Sequence, residues 1–316
     1  MTTPFALVGP GRVGCSISKR LVQRGYPLTA VVGTSLAATE DACRFIGCDR
    51  HVATTDLRAA ATAPLILLAV PDDAIAPVAR QLQAQTPLTA ATVLLHFSGV
   101  HTGSIMRHGH SPAALGSLHP LLPFADRQLA FTQLPIASFT TEGDQSAVAL
   151  ATAIVRELGA RIWVIAGQHK PLYHAACCMA SNYLVTLVNE ASRMLTRCGV
   201  AADEGVELLT PLLTATLKNL VDYGPHQGLT GPIVRGDTGT IKRHLDALLH
   251  TAARGDSGPL LLYCTLGRQT VELAEEAGHL DADTARDITA LLRQVAREDQ
   301  SPESTEKQKK NQFVVE

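Results

Sequence analysis

The chain has 316 residues, of which 46% are hydrophobic and 18% are charged, and its formal net charge is −2 at pH 7. This length predicts two domains, and the apolar content excludes an intrinsically disordered chain. The balanced charge and the aromatic content of 4% argue against nucleic-acid binding, which needs a basic surface or stacking groups.

The sequence predicts neither a membrane span nor a metal site. Its longest apolar run, near Pro64–Pro71, is too short to cross a bilayer, and no basic segment opens the chain as in a signal peptide. Seven cysteines without C-x-x-C spacing give no zinc or disulfide framework. His101, His108 and His110 stand in a polar loop, either as metal ligands or as solvated side chains, and without regularly spaced partners we predict no metal. We expect a cytoplasmic protein.

The first half of the chain alternates short apolar runs with helical patterns such as Val13–Gly25 and Asp73–Gln85. Strands that alternate with helices predict an α/β fold, here a Rossmann-type doubly wound parallel sheet over residues 1–166. The predicted strands are Phe5–Gly9, Leu28–Gly33, Leu65–Val70, Thr92–Phe97, Leu134–Phe139 and Arg161–Ala166.

The pattern changes after Gly167. Apolar residues recur at spacings of three and four from Pro171 to Cys198, which predicts one long amphipathic helix. Val206–Tyr223 predicts a second helix with a kink at Pro211. Gly224–Gly239 reads as a loop, and further helices begin at a Thr240 cap.

These helices predict an all-helical second domain over residues 167–298 that binds substrate and forms the dimer. The helix from Pro171 is too hydrophobic for a lone domain, so we expect a homodimer through this region. The polar, lysine-rich residues 299–316 predict a disordered tail.

The loop Gly9-Pro10-Gly11-Arg12-Val13-Gly14 fits G-x-G-x-x-G between an apolar strand and a helix. In such loops the first glycine permits a tight turn, the second lets a pyrophosphate approach the backbone, and the third lets helix and strand pack closely. Arg12 adds a candidate charged contact to phosphate. The alternative is a turn that needs glycines for its shape alone.

The end of the second strand discriminates between cofactors. NAD sites usually place Asp or Glu here, but this chain has Gly33-Thr34-Ser35. Thr34 and Ser35 present hydroxyls and no carboxylate to repel a 2′-phosphate, which favours NADP, with NAD as the alternative. Arg44 is the nearest later cation.

Two further strands end in segments that we expect beside the nicotinamide ribose, because ligands bind at the carboxyl ends of parallel strands. These segments are Val70-Pro71 and Ser98-Gly99. Asp72 and Asp73 follow the first of them, and we interpret both as helix-capping residues.

His119 stands between apolar residues and Pro120, and we interpret this segment as a rigid turn. The side chain is either a core histidine bonded to the backbone or a neighbour of the substrate or nicotinamide. We assign it to substrate binding.

Lys170, His174, Ser181 and Asn182 converge on one face of the predicted long helix at about 100° per residue. Reduction of a carbonyl or imine needs a proton donor. We assign His174 as that donor, Lys170 as the group that polarises the reacting bond, and Asn182 and Ser181 as substrate-orienting residues. The alternative is a solvated Lys170 and a packed His174.

A third cluster precedes a late helix. Arg235 is a candidate for bidentate binding of a substrate carboxylate, and the helix start at Thr240 offers free N–H donors. The alternative is a loop with an Arg235–Asp237 pair.

Together these motifs resemble a family of oxidoreductases that joins a Rossmann-like domain to a C-terminal helical domain of unknown function, number 2520. The residues that carry the resemblance are Gly9–Gly14, His119-Pro120, Tyr173-His174-Ala175-Ala176, Ser181-Asn182-Tyr183 and Thr230-Gly231-Pro232 with Arg235-Gly236-Asp237. The chain is more distantly similar to the superfamily of pyrroline-5-carboxylate reductase, 6-phosphogluconate dehydrogenase and 3-hydroxyisobutyrate dehydrogenase.

The resemblance implies residue roles by position. In hydroxyacid members a lysine is followed four residues later by an asparagine; Lys170 matches the lysine, but His174 stands in the asparagine's place. Gly236–Thr240 is similar to a loop that binds the substrate carboxylate in pyrroline-carboxylate reductases, and His119-Pro120 to a segment of prephenate dehydrogenases.

We therefore predict an NADP-dependent oxidoreductase that acts on a small carboxylate-bearing imine, keto acid or hydroxy acid. The alternative is a dinucleotide-sensing or scaffold protein without chemistry. A third hypothesis is an enzyme that uses a deazaflavin in place of a substrate.

Overall fold

A computed structural model describes residues 2–299, with side chains through residue 295. The chain divides into two compact units, the first ending at Tyr183 and the second beginning at Leu184. The predicted boundary after residue 166 stays a prediction. Of the predicted tail, Asp299 ends the last helix, and residues 300–316 lie outside the described residues.

The first unit contains an eight-stranded sheet with the order β3-β2-β1-β4-β5-β6-β7-β8. Strands β1 to β6 are parallel, β7 is antiparallel to β6, and β8 is parallel to β7. The Rossmann-type fold class predicted from the sequence is therefore confirmed. The strands are β1 (Phe5–Val8), β2 (Leu28–Val32), β3 (Ala53–Thr54), β4 (Leu65–Leu68), β5 (Val93–His96), β6 (Ala114–Leu121), β7 (Ser138–Gly143) and β8 (Arg161–Val164).

Two apolar cores cover the two faces of this sheet. Along β1, Leu7 belongs to one core and its neighbours Ala6 and Val8 belong to the other. Strands buried on both faces need apolar residues at every position, which is why they read as continuous apolar runs. The helices of this unit are α1 (Arg12–Gln23), α2 (Leu36–Ile46), α3 (Asp72–Gln85), α4 (Arg127–Gln133), α5 (Gln145–Glu157) and α6 (Lys170–Ala180).

Strand β6 was not predicted, and the turn expected around His119 is wrong. His119 lies within β6, opposite Thr140 of β7. Beyond Ser117, β6 pairs with β7 alone, because its pairing with β5 ends there. Pro120 is tolerated because the strand then needs hydrogen bonds on one side only. The strand predicted at Leu134–Phe139 begins later, at Ser138.

The single helix predicted from Pro171 to Cys198 is also wrong. The structure has two helices, α6 and α7 (Asn182–Arg197), separated at Ser181, whose φ of −120° and ψ of −71° are not helical. Serine supports helix interiors weakly because its hydroxyl competes for backbone hydrogen bonds. The rotation of 100° per residue that aligned Ser181 and Asn182 with Lys170 therefore does not hold across the break.

The second unit is helical, with α8 (Gly205–Gly228), α9 (Thr238–Ala252), α10 (Gly258–Glu276) and α11 (Ala282–Asp299). Leucine, isoleucine, valine and alanine side chains of α9, α10 and α11 form its core. The kink predicted at Pro211 lies instead at Gly224, where φ is 75°, because Pro225 disfavours helical backbone at the residue before it. Asp237, not Thr240, caps α9.

All seven cysteines are free thiols. Among residues 2–299, no helix has both the length and the apolar character that a membrane crossing requires.

Candidate functional site

Strands β1, β4 and β5 end at one edge of the sheet, and the loops that follow them carry the candidate residues. These loops hold the glycine motif, Val70-Pro71 and Ser98-Gly99. The order of the strands reverses between β1 and β4. In open α/β sheets such a switch point is where ligands bind.

The three glycines of the loop have three different surroundings. Gly9 has a φ of +87°, and a Cβ there would lie 2.6 Å from the carbonyl oxygen of Ala69. A Cβ on Gly14 would lie 2.7 Å from Leu7, so α1 packs directly on β1. At Gly11 the nearest such atom is 4.0 Å away. The chain itself therefore requires Gly9 and Gly14, whereas Gly11 leaves open space at the start of α1.

A cleft of about 670 Å³ opens at this loop. The residues lining it carry no carboxylate, ammonium or guanidinium: Val8, Gly9, Pro10, Gly11, Val32, Gly33, Thr34, Ala38, Thr55, Leu57, Ala69, Val70, Pro71, Val78 and Gln81. Thr34 lines the cleft, whereas the hydroxyl of its neighbour Ser35 accepts a hydrogen bond from the backbone N–H of Ala38 and caps α2.

The two arginines considered for phosphate binding are engaged elsewhere. Arg12 donates hydrogen bonds to the carbonyl oxygens of Phe124 and Ala125, at 2.9 and 3.0 Å. Arg44 forms an ion pair with Asp41 at 2.8 Å. The phosphate contact of Arg12 stays a prediction.

Ser98 is buried, and every polar group it has is bonded. Its N–H donates to Nδ1 of His96 at 3.1 Å, and its carbonyl oxygen accepts from Nζ of Lys170 at 2.9 Å. Its hydroxyl donates to Asp72 at 2.9 Å and accepts from the N–H groups of Val100 and His101. Asp72 lies in the first turn of α3, but its carboxylate accepts the hydrogen bond from Ser98. No side chain caps that helix, so the predicted capping role of Asp72 and Asp73 is wrong.

Lys170 was predicted to polarise a substrate bond, but its side chain is buried, with 2% of its surface exposed. Its ammonium donates to Ser98 O and, at 2.7 Å, to the hydroxyl of Ser117. Ser117 donates in turn to Glu142 at 2.5 Å, and Glu142 also accepts from the N–H of Gly103. Burial lowers the pKa of Lys170 to about 8, although the carboxylates of Glu142 and Asp72 oppose that shift.

His119, Tyr173 and His174 form a cluster over Gly99. Nδ1 of His119 and the hydroxyl of Tyr173 are 2.7 Å apart, and the rings of His119 and His174 meet edge to face at 5.8 Å. A Cβ on Gly99 would lie 2.3 Å from Cδ2 of His174 and 2.9 Å from Nε2 of His119. Only a glycine therefore lets both imidazoles approach this backbone.

Burial keeps two histidines of this region neutral at pH 7. It lowers the pKa of His119 to about 4, and the positive charge of Lys170 adds to that shift. Burial likewise lowers the pKa of the fully enclosed His96 to about 4. Burial also raises the pKa of the Tyr173 hydroxyl.

The remaining predicted residues belong to other segments of the chain. Ser181 and Asn182 are exposed at the break between α6 and α7. Arg235 and Thr240 belong to the second unit. The predicted anion site at Thr240 is taken by the chain itself, because Asp237 accepts from its N–H at 2.9 Å and from its hydroxyl at 2.7 Å.

Sequence reasoning missed Glu142, gave no role to Ser117 or His96, and interpreted Asp72 as a helix cap. An available signal was the presence of titratable residues in strands, since His96 ends the apolar strand β5 and Glu142 lies in β7. Buried carboxylates and imidazoles need partners. Among residues 2–299, no group of three or more His, Cys, Asp or Glu is arranged to hold a metal.

Two domain models match the chain. Residues 4–120 match a Rossmann-like domain, and residues 137–270 match a domain of unknown function, DUF2520. The pairing of domains implied by the sequence resemblance is therefore confirmed. None of the curated proteins matches the chain.

Solved structures with the same fold include three that align over most of their length. A protein from Thermotoga maritima has 22% identity and a TM-score of 0.64, with 94% of this chain and 100% of that chain covered. A pyrroline-5-carboxylate reductase from Coxiella burnetii has 16% identity and a TM-score of 0.57, with 92% and 99% covered. A reductive aminase from Aspergillus terreus, in complex with NADPH and ethyl-5-oxohexanoate, has 17% identity and a TM-score of 0.56, with 94% and 95% covered.

Proposed function

We propose that this chain, which joins a Rossmann-like domain to a DUF2520 domain, is an NADP-dependent oxidoreductase. Its substrate would be a small carboxylate-bearing imine, keto acid or hydroxy acid. The observation that carries the proposal is the shared edge of the sheet. The loop after β4 lines the cleft at Val70 and Pro71, and the loop after β5 carries Gly99 against a cluster of two histidines and a tyrosine.

The absence of a side chain at Gly11 leaves open space beside the backbone. A dinucleotide's pyrophosphate needs such space to approach the loop. Gly11 is the N-cap of α1 and no side chain caps that helix, so its first turn offers backbone N–H donors and a positive dipole to a phosphate. Thr34 lines the cleft without a neighbouring carboxylate among the lining residues, which favours a 2′-phosphate and hence NADP. When bound, NADPH supplies the hydride.

The proton for the reduced atom would come from His174, which lies against Gly99 with His119. His119 is neutral at pH 7 because of its burial, so it suits hydrogen bonding to a substrate rather than supplying charge. Tyr173 fixes the His119 ring through the contact at Nδ1. General acid catalysis of this kind contributes about 10²–10⁴-fold in rate.

Asn182 and the exposed Arg235 remain our proposals for orienting the substrate and for binding its carboxylate. Arginine suits a carboxylate because its planar guanidinium donates two parallel hydrogen bonds. Arg235 precedes α9, and the carboxylate of Asp237 caps that helix through Thr240.

The first experiment is a thermal unfolding titration with NADPH and NADH in parallel. A ligand at 100 times its dissociation constant stabilises the folded state by about 2.7 kcal/mol. This corresponds to a rise of roughly 5 °C in the midpoint for a chain of this size. A larger response to NADPH than to NADH supports the proposal, and no response to either contradicts it.

We also propose a homodimer through the second unit. Helix α8 has a single buried residue, Gly205, although a helix this apolar usually lies within a protein core. Its exposed apolar side chains need a cover that a second copy of the chain would supply. They are Val206, Leu208, Leu212, Leu217, Leu220, Val221 and Tyr223.

Light scattering at low micromolar concentration tests this proposal. Wild type should have the mass of a dimer, and Val221→Asp should have the mass of a monomer, because the side chain at this position is 83% exposed and its loss leaves the fold intact. Lys242→Asp, an exposed change on α9, is the matched control and should stay dimeric. A monomeric wild type contradicts the proposal.

A further inference from the structure

Lys170 is an unusual residue to find enclosed in the first unit. Lysine is almost never fully buried without a partner, and a buried cation carries a desolvation penalty that a well-packed apolar residue of the same volume avoids. Here the ammonium lies between the carbonyl oxygen of Ser98 and the hydroxyl of Ser117, with Glu142 behind Ser117. A stability role alone does not explain this choice of residue.

The bonds of Lys170 join elements that are distant in sequence. The ammonium projects from the start of α6, Ser117 belongs to β6, and Glu142 belongs to β7. Glu142 also accepts from the N–H of Gly103, at the far end of the segment that begins at Ser98. The network therefore fixes both ends of the segment 98–103.

The peptide group most directly held is the one between Ser98 and Gly99. Its carbonyl oxygen is the acceptor of the Lys170 ammonium, while His96 and Asp72 hold the N–H and the hydroxyl of the same serine. Gly99 follows at once, and its backbone approaches the rings of His119 and His174 too closely for any Cβ. Any movement of this peptide therefore changes the position of the backbone under both imidazoles.

We propose that Lys170, Ser117 and Glu142 form a positioning network for the His119–His174 pair, and that Lys170 does not itself contact the substrate. The hydrogen bond from the ammonium fixes the position of the Ser98–Gly99 peptide, and both imidazole rings contact the backbone at Gly99. The functional meaning of this network rests on the proposed oxidoreductase site. Catalytic groups need placement this close, because a displacement of about 1 Å costs on the order of 10²-fold in rate.

Two variants distinguish a role of Lys170 in positioning the backbone from a role in neutralising the buried carboxylate of Glu142. Lys170→Met removes the donor to Ser98 and leaves the Glu142 carboxylate buried without its cation, so the midpoint of thermal unfolding should fall. Adding Glu142→Gln neutralises that carboxylate, so the midpoint should recover, since a buried pair is often replaced by neutral residues without loss. Lys242→Met, at an exposed lysine of α9, is the matched control.

The position of the rings is measured without cofactor, as the nuclear Overhauser effect between the α-protons of Gly99 and Hδ2 of His174. It should be strong in wild type and in Lys242→Met, and several-fold weaker in both Lys170→Met and the double variant. A wild-type effect in the double variant overturns the proposal and leaves only a structural ion pair. Failure of NADPH to bind would instead contradict the proposed function and would leave this result unchanged.

Discussion

Gly9 and Gly11 are two residues apart, yet alanine at Gly9 should lower folding stability, whereas alanine at Gly11 should weaken dinucleotide binding. At Gly9 the added Cβ would lie 2.6 Å from the carbonyl oxygen of Ala69, on a backbone with a φ of +87°. At Gly11 the nearest atom is 4.0 Å away and φ is −79°. Gly9→Ala should therefore damage the fold, and Gly11→Ala should damage only the binding of a dinucleotide.

The magnitudes follow from these geometries. A left-handed backbone costs a non-glycine residue roughly 1–2 kcal/mol, and overpacking adds roughly 1–3 kcal/mol. Gly9→Ala should thus lower the free energy of unfolding by about 2–5 kcal/mol, whereas Gly11→Ala should cost less than about 1 kcal/mol as an N-cap change. With NADPH at 100 times the wild-type dissociation constant, a tenfold loss of affinity reduces ligand stabilisation from about 2.7 to about 1.4 kcal/mol.

Thermal unfolding with and without NADPH measures both effects on the same samples. The midpoint of Gly9→Ala without ligand should fall by roughly 4–10 °C at about 2 °C per kcal/mol. Gly11→Ala should keep a midpoint close to wild type and lose about half of the shift caused by NADPH. Gly239→Ala, where the new Cβ makes only an ordinary contact at 3.6 Å, is the control. Full NADPH binding by Gly11→Ala would refute the assignment of this loop to the cofactor.

Two further predictions concern the histidines. His174→Gln should reduce turnover by on the order of 10²-fold or more while NADPH affinity stays unchanged, as judged by steady-state kinetics on whichever imine or keto acid a screen identifies; wild-type turnover would remove His174 from the mechanism, and the exposed His110→Gln is the control. The pKa of buried His96 is about 4 in the folded chain and 6.5 for an ordinary histidine, so between these pH values the unfolded state binds the extra proton. His96 should therefore account for a loss of about 3 kcal/mol in stability as the pH drops through this window, and His119, whose pKa is also about 4, should add to that loss. Denaturant unfolding of His96→Asn should show a flatter pH dependence than wild type, and identical pH profiles would contradict this account.

The sequence determined the α/β architecture because buried parallel strands and the glycine loop are local signals. Phe5–Val8 is apolar at every position, since both faces of β1 are covered. The loop that follows needs Gly9 and Gly14 for contacts with nearby backbone and side chains. Local pattern therefore singled out the glycine loop, and Thr34 and Val70, which it also named, line the cleft beside that loop.

Strand β6 and the end of helix α6 were not predicted correctly, because neither has a clear local signal in the sequence. Strand β6 escaped prediction because Pro120 is unfavourable in a strand and is tolerated here only where one neighbour remains. The long helix was extended through Ser181 because apolar spacing continues across the break. The helical spacing that grouped Asn182 with Lys170 is therefore interrupted at Ser181.

The environment of Lys170 was decided by tertiary structure alone. Its partners Ser98, Ser117 and Glu142 lie 72, 53 and 28 positions away in sequence, and only the pairing of β5, β6 and β7 brings them together. Helical spacing could not show that Lys170 is buried, because burial depends on what the rest of the chain places around a side chain. The sequence by itself determined the glycine loop and the titratable residues, and the pairing of the strands decided which of those residues are buried and hydrogen-bonded to one another.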